Sequence, residues 1–177
     1  EFAFSCRGGC IIDECDEIEQ MLDKVAKPHR PSYLLQLLKG KYTFLDDLKV
    51  WWLIVDTWVE SESNHIAKEV WEELFSLRKV PKWYTEHLPD EMTIFRGGNP
   101  EGISWSLYNE QGQWFAERYG DNESFWGMKI KREDILFYTN LRGEEEVVII
   151  PKNHHKIYAI GYSPRVGNVA NHSPLII

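Results

Sequence analysis

The stretch Glu144-Glu145-Glu146-Val147-Val148-Ile149-Ile150-Pro151 decides the fold of this chain. An apolar run without alternation is typical of a strand that is buried on both faces of a sheet, and we predict such a strand over 145–150. Alternation along it would place Glu144 and Glu146 on one face and Glu145 on the other. Glu146 would lie closest to the buried run, where water screens its charge least. The alternative is a solvated acidic loop that caps the strand.

A second pattern, Ile94-Phe95-Arg96-Gly97-Gly98, ends an apolar strand with a cation and two glycines. Glycines at such a position let the backbone approach a ligand closely. The planar guanidinium of Arg96 suits a diphosphate, because it forms paired, charge-assisted hydrogen bonds. The alternative is a surface arginine that precedes a tight turn.

A third pattern, Ile103-Ser104-Trp105-Ser106, places both hydroxyls on one face of a strand and the indole on the other. Hydroxyls of this kind can orient a carboxylate or a ribose, but serine becomes a nucleophile only beside a base. The chain has no Gly-x-Ser-x-Gly turn, which argues against a hydrolase triad. The alternative is a pair of solvent-facing serines on an edge strand.

The β-rich half of the chain follows Pro89, where short segments are separated by Gly, Asn and Pro. We predict strands at 93–96, 103–106, 125–130, 136–138, 145–150 and 156–162, with a helix inserted at about 110–119. The chain is therefore expected to have an α+β fold, with a helical region over 1–90 and a β-rich core over 91–177. We expect two small, mostly antiparallel sheets packed face to face, within one compact unit.

The first half is predicted to be helical, because its apolar residues recur at intervals of three and four. A first stripe ends before Pro28, a second begins after Thr43 as its expected N-cap, and a short last helix covers 81–88. The tryptophans are expected in the core. The stripes are Ile11, Cys15, Ile18, Leu22 and Val25; Leu45, Leu48, Trp52, Val55 and Val59; and Ile66, Val70, Trp71 and Leu74.

Composition narrows the possible partners. A net charge of −8 repels nucleic acid and favours a basic protein surface or a guanidinium group. The sequence contains no apolar run near the ~20 residues of a membrane span, so we expect a cytoplasmic protein, in its own cell or in a host cell that it enters. An apolar fraction of 43% suits a packed core in one domain.

The cysteines Cys6, Cys10 and Cys15 lie within ten residues of one another, and the chain has no other cysteine for a long-range disulfide. Their spacing is not that of a zinc knuckle, and the possible additional ligands His154 and His155 are remote in sequence. We therefore expect ordinary free thiols and no metal.

Taken in order, the three patterns resemble the mono-ADP-ribosyltransferase family of the toxin-like type. Its signature is an Arg on the first strand, a Ser-x-Ser, and a Glu-x-Glu before an apolar strand, which correspond here to Arg96, Ser104-Trp105-Ser106 and Glu144-Glu145-Glu146. Gly102 to Ser106, followed by Trp114-Phe115-Ala116-Glu117-Arg118, also looks like bacterial and phage members. The resemblance covers about 94–150, or roughly a third of the chain.

The resemblance implies a split antiparallel β-sandwich that binds NAD⁺ in a cleft and needs no metal. Arg96 would bind the diphosphate, and backbone groups of Gly97 would hold the nicotinamide amide. Phe115 would stack on the nicotinamide ring, with Trp114 as the alternative ring. The helix core is the other interpretation of both aromatic residues.

Cleavage of the bond between nicotinamide and ribose produces an oxocarbenium-like sugar, which requires nearby negative charge. By resemblance Glu146 would supply that charge and hold a ribose hydroxyl, with Ser104 and Ser106 orienting it. Glu144 stands where family members that modify arginine carry their first acid, so an arginine of a protein acceptor is the expected target. Two alternatives stay open, namely a non-catalytic acidic interaction protein on the same fold and an NAD⁺ glycohydrolase.

Overall fold

The computed structural model describes residues 13–61, 67–118 and 124–160. Four α-helices come first and a fifth lies between the second and third strands. The helices are α1 (Glu14–Leu22), α2 (Arg30–Lys39), α3 (Asp47–Glu60), α4 (Lys68–Ser76) and α5 (Asn109–Arg118). The strands are β1 (Glu91–Gly97), β2 (Ser104–Ser106), β3 (Phe125–Lys131), β4 (Ile135–Thr139), β5 (Glu146–Ile149) and β6 (Ile157–Ala159). The predicted α+β class is confirmed.

The six strands form one antiparallel sheet in the order β4-β5-β2-β1-β3-β6. The prediction of two sheets packed face to face is therefore corrected for the described strands. The halves β4-β5-β2 and β1-β3-β6 meet through one register pair, Phe95 with Ser106. This single pairing joins the two halves into one sheet.

The strand predicted from the apolar run lies in the interior of the sheet, as expected. β5 is paired on one side with β4 and on the other with β2, and Val147, Val148 and Ile149 are fully buried. The strand begins one residue later than predicted, at Glu146. Glu145 has a φ of 46°, in the left-handed region, and this conformation cannot continue a strand.

The helical half covers one face of the sheet. Its buried side chains share a core cluster with Phe137 of β4, Val148 of β5 and Ile103, which directly precedes β2. Trp58 of α3 packs edge-on against Phe137 with ring centroids 5.9 Å apart. A second core, which includes Trp105, lies on the other face. The sheet is thus sandwiched between two apolar layers, and α3 is brought directly over β4 and β5.

The helix α3 differs from its prediction in its cap and in its buried face. Asp46 caps it by accepting a hydrogen bond of 2.9 Å from the Lys49 amide, whereas Thr43 lies upstream. Leu48 and Trp52, predicted as core, are 57% and 39% exposed. The helix is apolar nearly all round, so periodicity alone does not select the side that meets the sheet. The residues it buries are Val50, Trp51, Leu53, Ile54, Val55, Thr57 and Trp58.

The other helices agree with the sequence only in part. α1 buries Cys15, Ile18 and Leu22 as predicted, and α4 buries Trp71 and Leu74. Ile11 and Ile66 lie outside the described residues. α2 was not predicted, and 81–88 contains only a short 3-10 turn at Lys82–Tyr84. None of the helices in the described part of the chain is long and apolar enough to cross a membrane.

Among the described residues the free cysteine Cys15 is buried in α1. Burial raises the pKa of its thiol to about 11, and the charge of Asp13 adds to the rise. A thiol with so high a pKa is a poor nucleophile and metal ligand. This agrees with the expectation of an ordinary free thiol, while Cys6 and Cys10 lie outside the described residues.

The surroundings of Glu19 in α1 disfavour its negative charge. Burial raises the pKa of Glu19 to about 7, and the negative charges of its neighbours raise it further. These neighbours are Asp56, Asp16, Asp23 and Glu60. Because the folded pKa lies above the usual 4.5, protonation of Glu19 stabilises the fold fully below pH 4.5, and this contribution is lost as the pH rises through about 7.

Glu19→Gln is therefore expected to stabilise the chain at about pH 8, where the wild type must bury a charge, and to have little effect at about pH 4. Solvent reaches much of this side chain, so the gain in the free energy of unfolding should be about 1 kcal/mol. Urea unfolding at both pH values would measure it. Glu86→Gln, at an exposed residue, is the matched control, and an equal gain at both pH values would disprove the explanation.

Candidate active site

Strands β2 and β5 bring the serine and glutamate motifs together. Ser104 pairs with Val148, and Ser106 pairs with Glu146, so Ser104 and Glu146 are diagonal neighbours on one face of the sheet. The Ser104 hydroxyl donates a hydrogen bond of 2.5 Å to Glu146 Oε1. Residues 42 positions apart in sequence thus meet as the family resemblance implies.

Glu146 is only 4% exposed, yet its carboxylate has a full set of partners. Besides Ser104, Trp58 Nε1 donates to Oε2 at 3.0 Å, and Arg142 Nη2 donates to the same oxygen at 2.7 Å. A buried charge persists only when it is paired and hydrogen bonded. The alternative of a solvated acidic loop is excluded for Glu146, whose carboxylate is held rigidly against the sheet.

Trp58 is a site residue that sequence reasoning treated only as core. Its ring does pack in the core, 4.8 Å from that of Trp71, but its N–H reaches through to Glu146. Buried indoles normally find an acceptor for this N–H, so the sequence signals that a partner exists without identifying it. The helical half therefore contributes a group to the candidate site.

Arg142 is the second residue that sequence reasoning missed. Its Nη2 contacts Glu146, and its Nε lies 3.4 Å from Glu144 Oε2. The one guanidinium thus bridges both carboxylates that were predicted to share a face. Burial raises the pKa of Glu144, Arg142 opposes this rise, and the charge of Glu146 adds to it. No local pattern indicates this contact, because a spacing of four brings side chains together on a helix, whereas Arg142 lies in a turn before β5.

Glu145 is separate from this carboxylate pair. Its side chain accepts a hydrogen bond from the Tyr138 hydroxyl and another, at 2.8 Å, from Asn140 Nδ2. Its left-handed backbone directs it there, so its separation from Glu144 and Glu146 arises from a turn and not from strand alternation. Burial, together with the hydrogen bond to Glu145, raises the pKa of the Tyr138 hydroxyl to about 12.

Ser106 does not contact the Glu146 carboxylate. Its hydroxyl donates to the Glu144 carbonyl at 3.3 Å and accepts from the Tyr108 amide at 3.2 Å. It therefore fixes the backbone that precedes β5. Trp105 points to the opposite face, where its indole is buried and donates to the Gly102 carbonyl at 2.8 Å. The predicted alternation is present, and because β2 is an interior strand, the solvent-facing alternative is excluded.

Arg96 lies beside Ser104. Its Nη1 donates to the Ser104 carbonyl and its Nε donates to the Asn99 carbonyl at 2.6 Å. A Cβ atom on Gly102 would lie 2.2 Å from the Arg96 Cζ, so the guanidinium rests on this glycine. Arg96 thereby joins the end of β1 to the start of β2. The three motifs are linked from Arg96 through the Ser104 backbone carbonyl, and from the Ser104 hydroxyl to Glu146. The pairing of Phe95 with Ser106 places the Arg96 side chain on the opposite face of the sheet from Glu146.

The glycines after Arg96 serve the backbone in two different ways. A Cβ atom on Gly97 would lie 2.1 Å from the Ala116 nitrogen and 2.6 Å from the Phe115 carbonyl carbon. Close packing of α5 on β1 thus requires this glycine, and its role beside a ligand stays a prediction. Gly98 has a φ of 88° and turns the chain away from the strand.

The two aromatic candidates both belong to α5. Trp114 is exposed and Phe115 is half-buried, with ring centroids 5.0 Å apart. The residues that α5 fully buries are Gly112 and Ala116, so neither ring is fully buried in a helix core. Phe115 is adjacent to Gly97 through its backbone, which places it at the end of β1.

A second polar cluster, Asp134 with His154 and His155, lies near the ends of β3 and β4. Among the described residues these three could together hold a metal, since their ligand atoms lie within 4.8 Å of one another. However, the Lys152 amide donates to His155 Nδ1 at 3.1 Å, so the ring proton of a neutral imidazole is on Nε2, which faces Asp134 at 3.4 Å. A metal would need the Nε2 lone pair. The absence of metal stays a prediction.

Comparison of the chain with protein-family models, with curated proteins and with solved structures found no significant match. A fold class alone does not identify an activity, because one architecture hosts many chemistries. The geometry of the candidate site and the three motifs that meet in it therefore carry the functional proposal.

Proposed function

We propose that this chain is a mono-ADP-ribosyltransferase, which cleaves the nicotinamide–ribose bond of NAD⁺ and transfers ADP-ribose to an arginine of a protein acceptor. The observation that carries the proposal is the contiguous contact from Arg96 through Ser104 to Glu146. Three short motifs that are separate in sequence meet in the order of the family signature.

Glu146 supplies the charge that the reaction needs. As the glycosidic bond breaks, positive charge develops on the ribose, and a carboxylate about 4 Å away at an effective dielectric near 20 contributes about 4 kcal/mol. That corresponds to roughly a thousandfold in rate. Ser104 and Trp58 fix the carboxylate before the substrate arrives, so little reorganisation is needed when the charge develops.

Glu144 has the chemistry required for the acceptor. It lies on the same side as Glu146 and already binds one guanidinium, that of Arg142. A carboxylate forms strong, charge-assisted pairs with arginine. This observation favours arginine as the acceptor and makes Glu144 the residue that grips it. The net charge of −8 would also draw a basic protein toward the site.

The NAD⁺ is proposed to lie along the end of β1 and the start of β2. Arg96 would bind the diphosphate through its guanidinium group. Backbone groups at Gly97 would hold the nicotinamide amide, and Phe115, or alternatively Trp114, would stack on its ring. Ser106 would act indirectly, because its hydroxyl positions the Glu144 backbone.

Arg96→Ala is expected to weaken NAD⁺ binding by about 2 to 4 kcal/mol, since paired charged hydrogen bonds are lost. Isothermal calorimetry would measure the change. Arg132→Ala is the matched control, because Arg132 also donates to two backbone carbonyls, those of Glu86 and Leu88, but lies at the opposite end of β1. Equal NAD⁺ affinity in the two variants would remove Arg96 from the binding site.

The proposal is tested by incubating the purified chain with adenylate-labelled NAD⁺, following nicotinamide release by chromatography, and adding agmatine as a small guanidino acceptor. We expect release of nicotinamide and appearance of labelled agmatine. Nicotinamide release with label on neither agmatine nor an added basic protein would indicate an NAD⁺ glycohydrolase. Absence of release would indicate the non-catalytic interaction protein.

A further inference from the structure

We propose that Arg142 is an internal acceptor, and that the chain ADP-ribosylates this residue in its own β4–β5 connection. The inference rests on the proposed function, because it requires a chain that cleaves NAD⁺. The inference adds to the proposed function a site of modification within the chain, and it specifies that the acceptor guanidinium is held between two carboxylates.

The contacts of Arg142 carry the inference. Its Nη2 lies 2.7 Å from Glu146 Oε2 and its Nε lies 3.4 Å from Glu144 Oε2. Glu146 is proposed to face the ribose cation, and Glu144 is proposed to grip an acceptor. The guanidinium therefore occupies the place that an acceptor arginine must reach. The Arg142 and Glu144 side chains are each only 30% exposed, so the group is held within the site.

The other partners of Glu146 allow Arg142 to stay beside Glu144 when the ribose binds. Oε1 is held by Ser104 and Oε2 is held by Trp58, so the carboxylate keeps its position without Arg142. A ribose hydroxyl can then replace the Arg142 contact at Oε2, while the contact of Nε with Glu144 persists. The displaced Nη2 would face the sugar carbon next to that hydroxyl, which is the carbon that loses nicotinamide.

The local backbone supports a small shift of this kind. Arg142 stands between β4 and β5 in a turn that the Gly143 amide closes by donating to the Asn140 carbonyl at 2.9 Å. Gly143 has a φ of 69°, a conformation that suits glycine. Arg142 is thus tied to the site by its side chain and by a short turn, and it needs no long excursion to reach a bound ribose.

The transfer step balances without any further reactant. The bond between C1 of the ribose and the nicotinamide nitrogen breaks, and its electron pair leaves with neutral nicotinamide. A guanidinium nitrogen of Arg142 forms the new bond to C1 and gives up one proton. Glu144, whose pKa burial raises, is placed to take that proton and pass it to water. The product guanidinium keeps its single positive charge, and nothing is oxidised or reduced.

The experiment incubates the full chain with NAD⁺ and locates ADP-ribose by peptide mass spectrometry, using fragmentation that leaves the sugar on the side chain, while nicotinamide release is followed in the same sample. We expect the modification at Arg142. In Arg142→Lys the modified peptide should disappear, because lysine carries no guanidino group. In the control Arg132→Lys, modification at Arg142 should persist at the wild-type level.

A dilution series adds a second readout. Reaction within one molecule is first order, so a tenfold dilution should leave the modified fraction per unit time unchanged, whereas reaction between copies would fall with concentration. Nicotinamide release with no ADP-ribose at Arg142 would overturn this inference and leave the proposed function standing. A modified fraction that falls with dilution would overturn modification in cis. Absence of nicotinamide release would overturn both.

Discussion

Gly97→Ala is expected to destabilise the chain by about 3 kcal/mol or more, among the larger effects of single substitutions. A methyl group there would lie 2.1 Å from the Ala116 nitrogen and 2.7 Å from its Cα. Both are backbone atoms within a helix, so no side-chain rotation relieves the contact, and α5 must move away from β1. Urea unfolding followed by circular dichroism would measure the loss.

Gly98→Ala is the matched control for this substitution. A methyl group on Gly98 would meet no other atom within 4 Å, but the φ of this residue is 88°. Its replacement should cost about 1 to 2 kcal/mol from backbone strain alone. If Gly97→Ala lowers the free energy of unfolding no more than Gly98→Ala does, the close packing of α5 on β1 is contradicted. NAD⁺ cleavage should also fall in Gly97→Ala, because α5 carries Phe115 and Trp114.

The sequence was most informative where one physical signal had a single structural solution. The apolar run after Glu146 lacks alternation, and only an interior strand buries both faces of such a run. The alternation of Ser104, Trp105 and Ser106 likewise determined which side chains share a face. These features were local to one strand, and they could be predicted without knowledge of its neighbours.

Features that depend on packing between distant elements could not be predicted in this way. The face of α3 that is buried depends on the sheet beneath it, because apolar residues surround most of that helix. The contact of Trp58 with Glu146 spans 88 positions, and no local pattern encodes it. The joining of the two half-sheets depends on the single pair Phe95 with Ser106.

The turn before β5 shows why strand alternation was an incomplete guide. Glu144 and Glu145 precede the strand, and the φ of 46° at Glu145 ends the regular alternation. Glu144 still shares Arg142 with Glu146, although alternation was not the cause. The structure adds two groups to the candidate site that the motifs do not contain, Trp58 and Arg142.

Glu146→Gln is expected to lower the turnover number by a hundred- to ten-thousandfold and to leave NAD⁺ affinity nearly unchanged, because its charge matters chiefly once the sugar becomes cationic. The structure shows why Gln tests charge rather than shape. The amide oxygen can still accept from Trp58, and the amide NH₂ can donate to the Ser104 hydroxyl, which accepts as readily as it donates. The fold should therefore survive.

The neighbouring acids supply controls within the same triplet. Glu144→Gln should spare cleavage of NAD⁺ by water and lower transfer to a guanidino acceptor, because its proposed role is to grip that acceptor. Glu145→Gln should change neither rate appreciably, since its side chain lies with Tyr138 and Asn140. Equal losses in all three variants would indicate general damage to the turn rather than distinct roles.

The measurement that tests the central claim most directly is the initial rate of nicotinamide release from NAD⁺ by the wild-type chain and by Glu146→Gln, at saturating NAD⁺ and with folding of both verified by circular dichroism. We predict release by the wild type and a rate at least about a hundredfold lower in the variant. Release by Glu146→Gln at the wild-type rate, or absence of release from the wild type, would contradict the assignment of this chain as an ADP-ribosyltransferase.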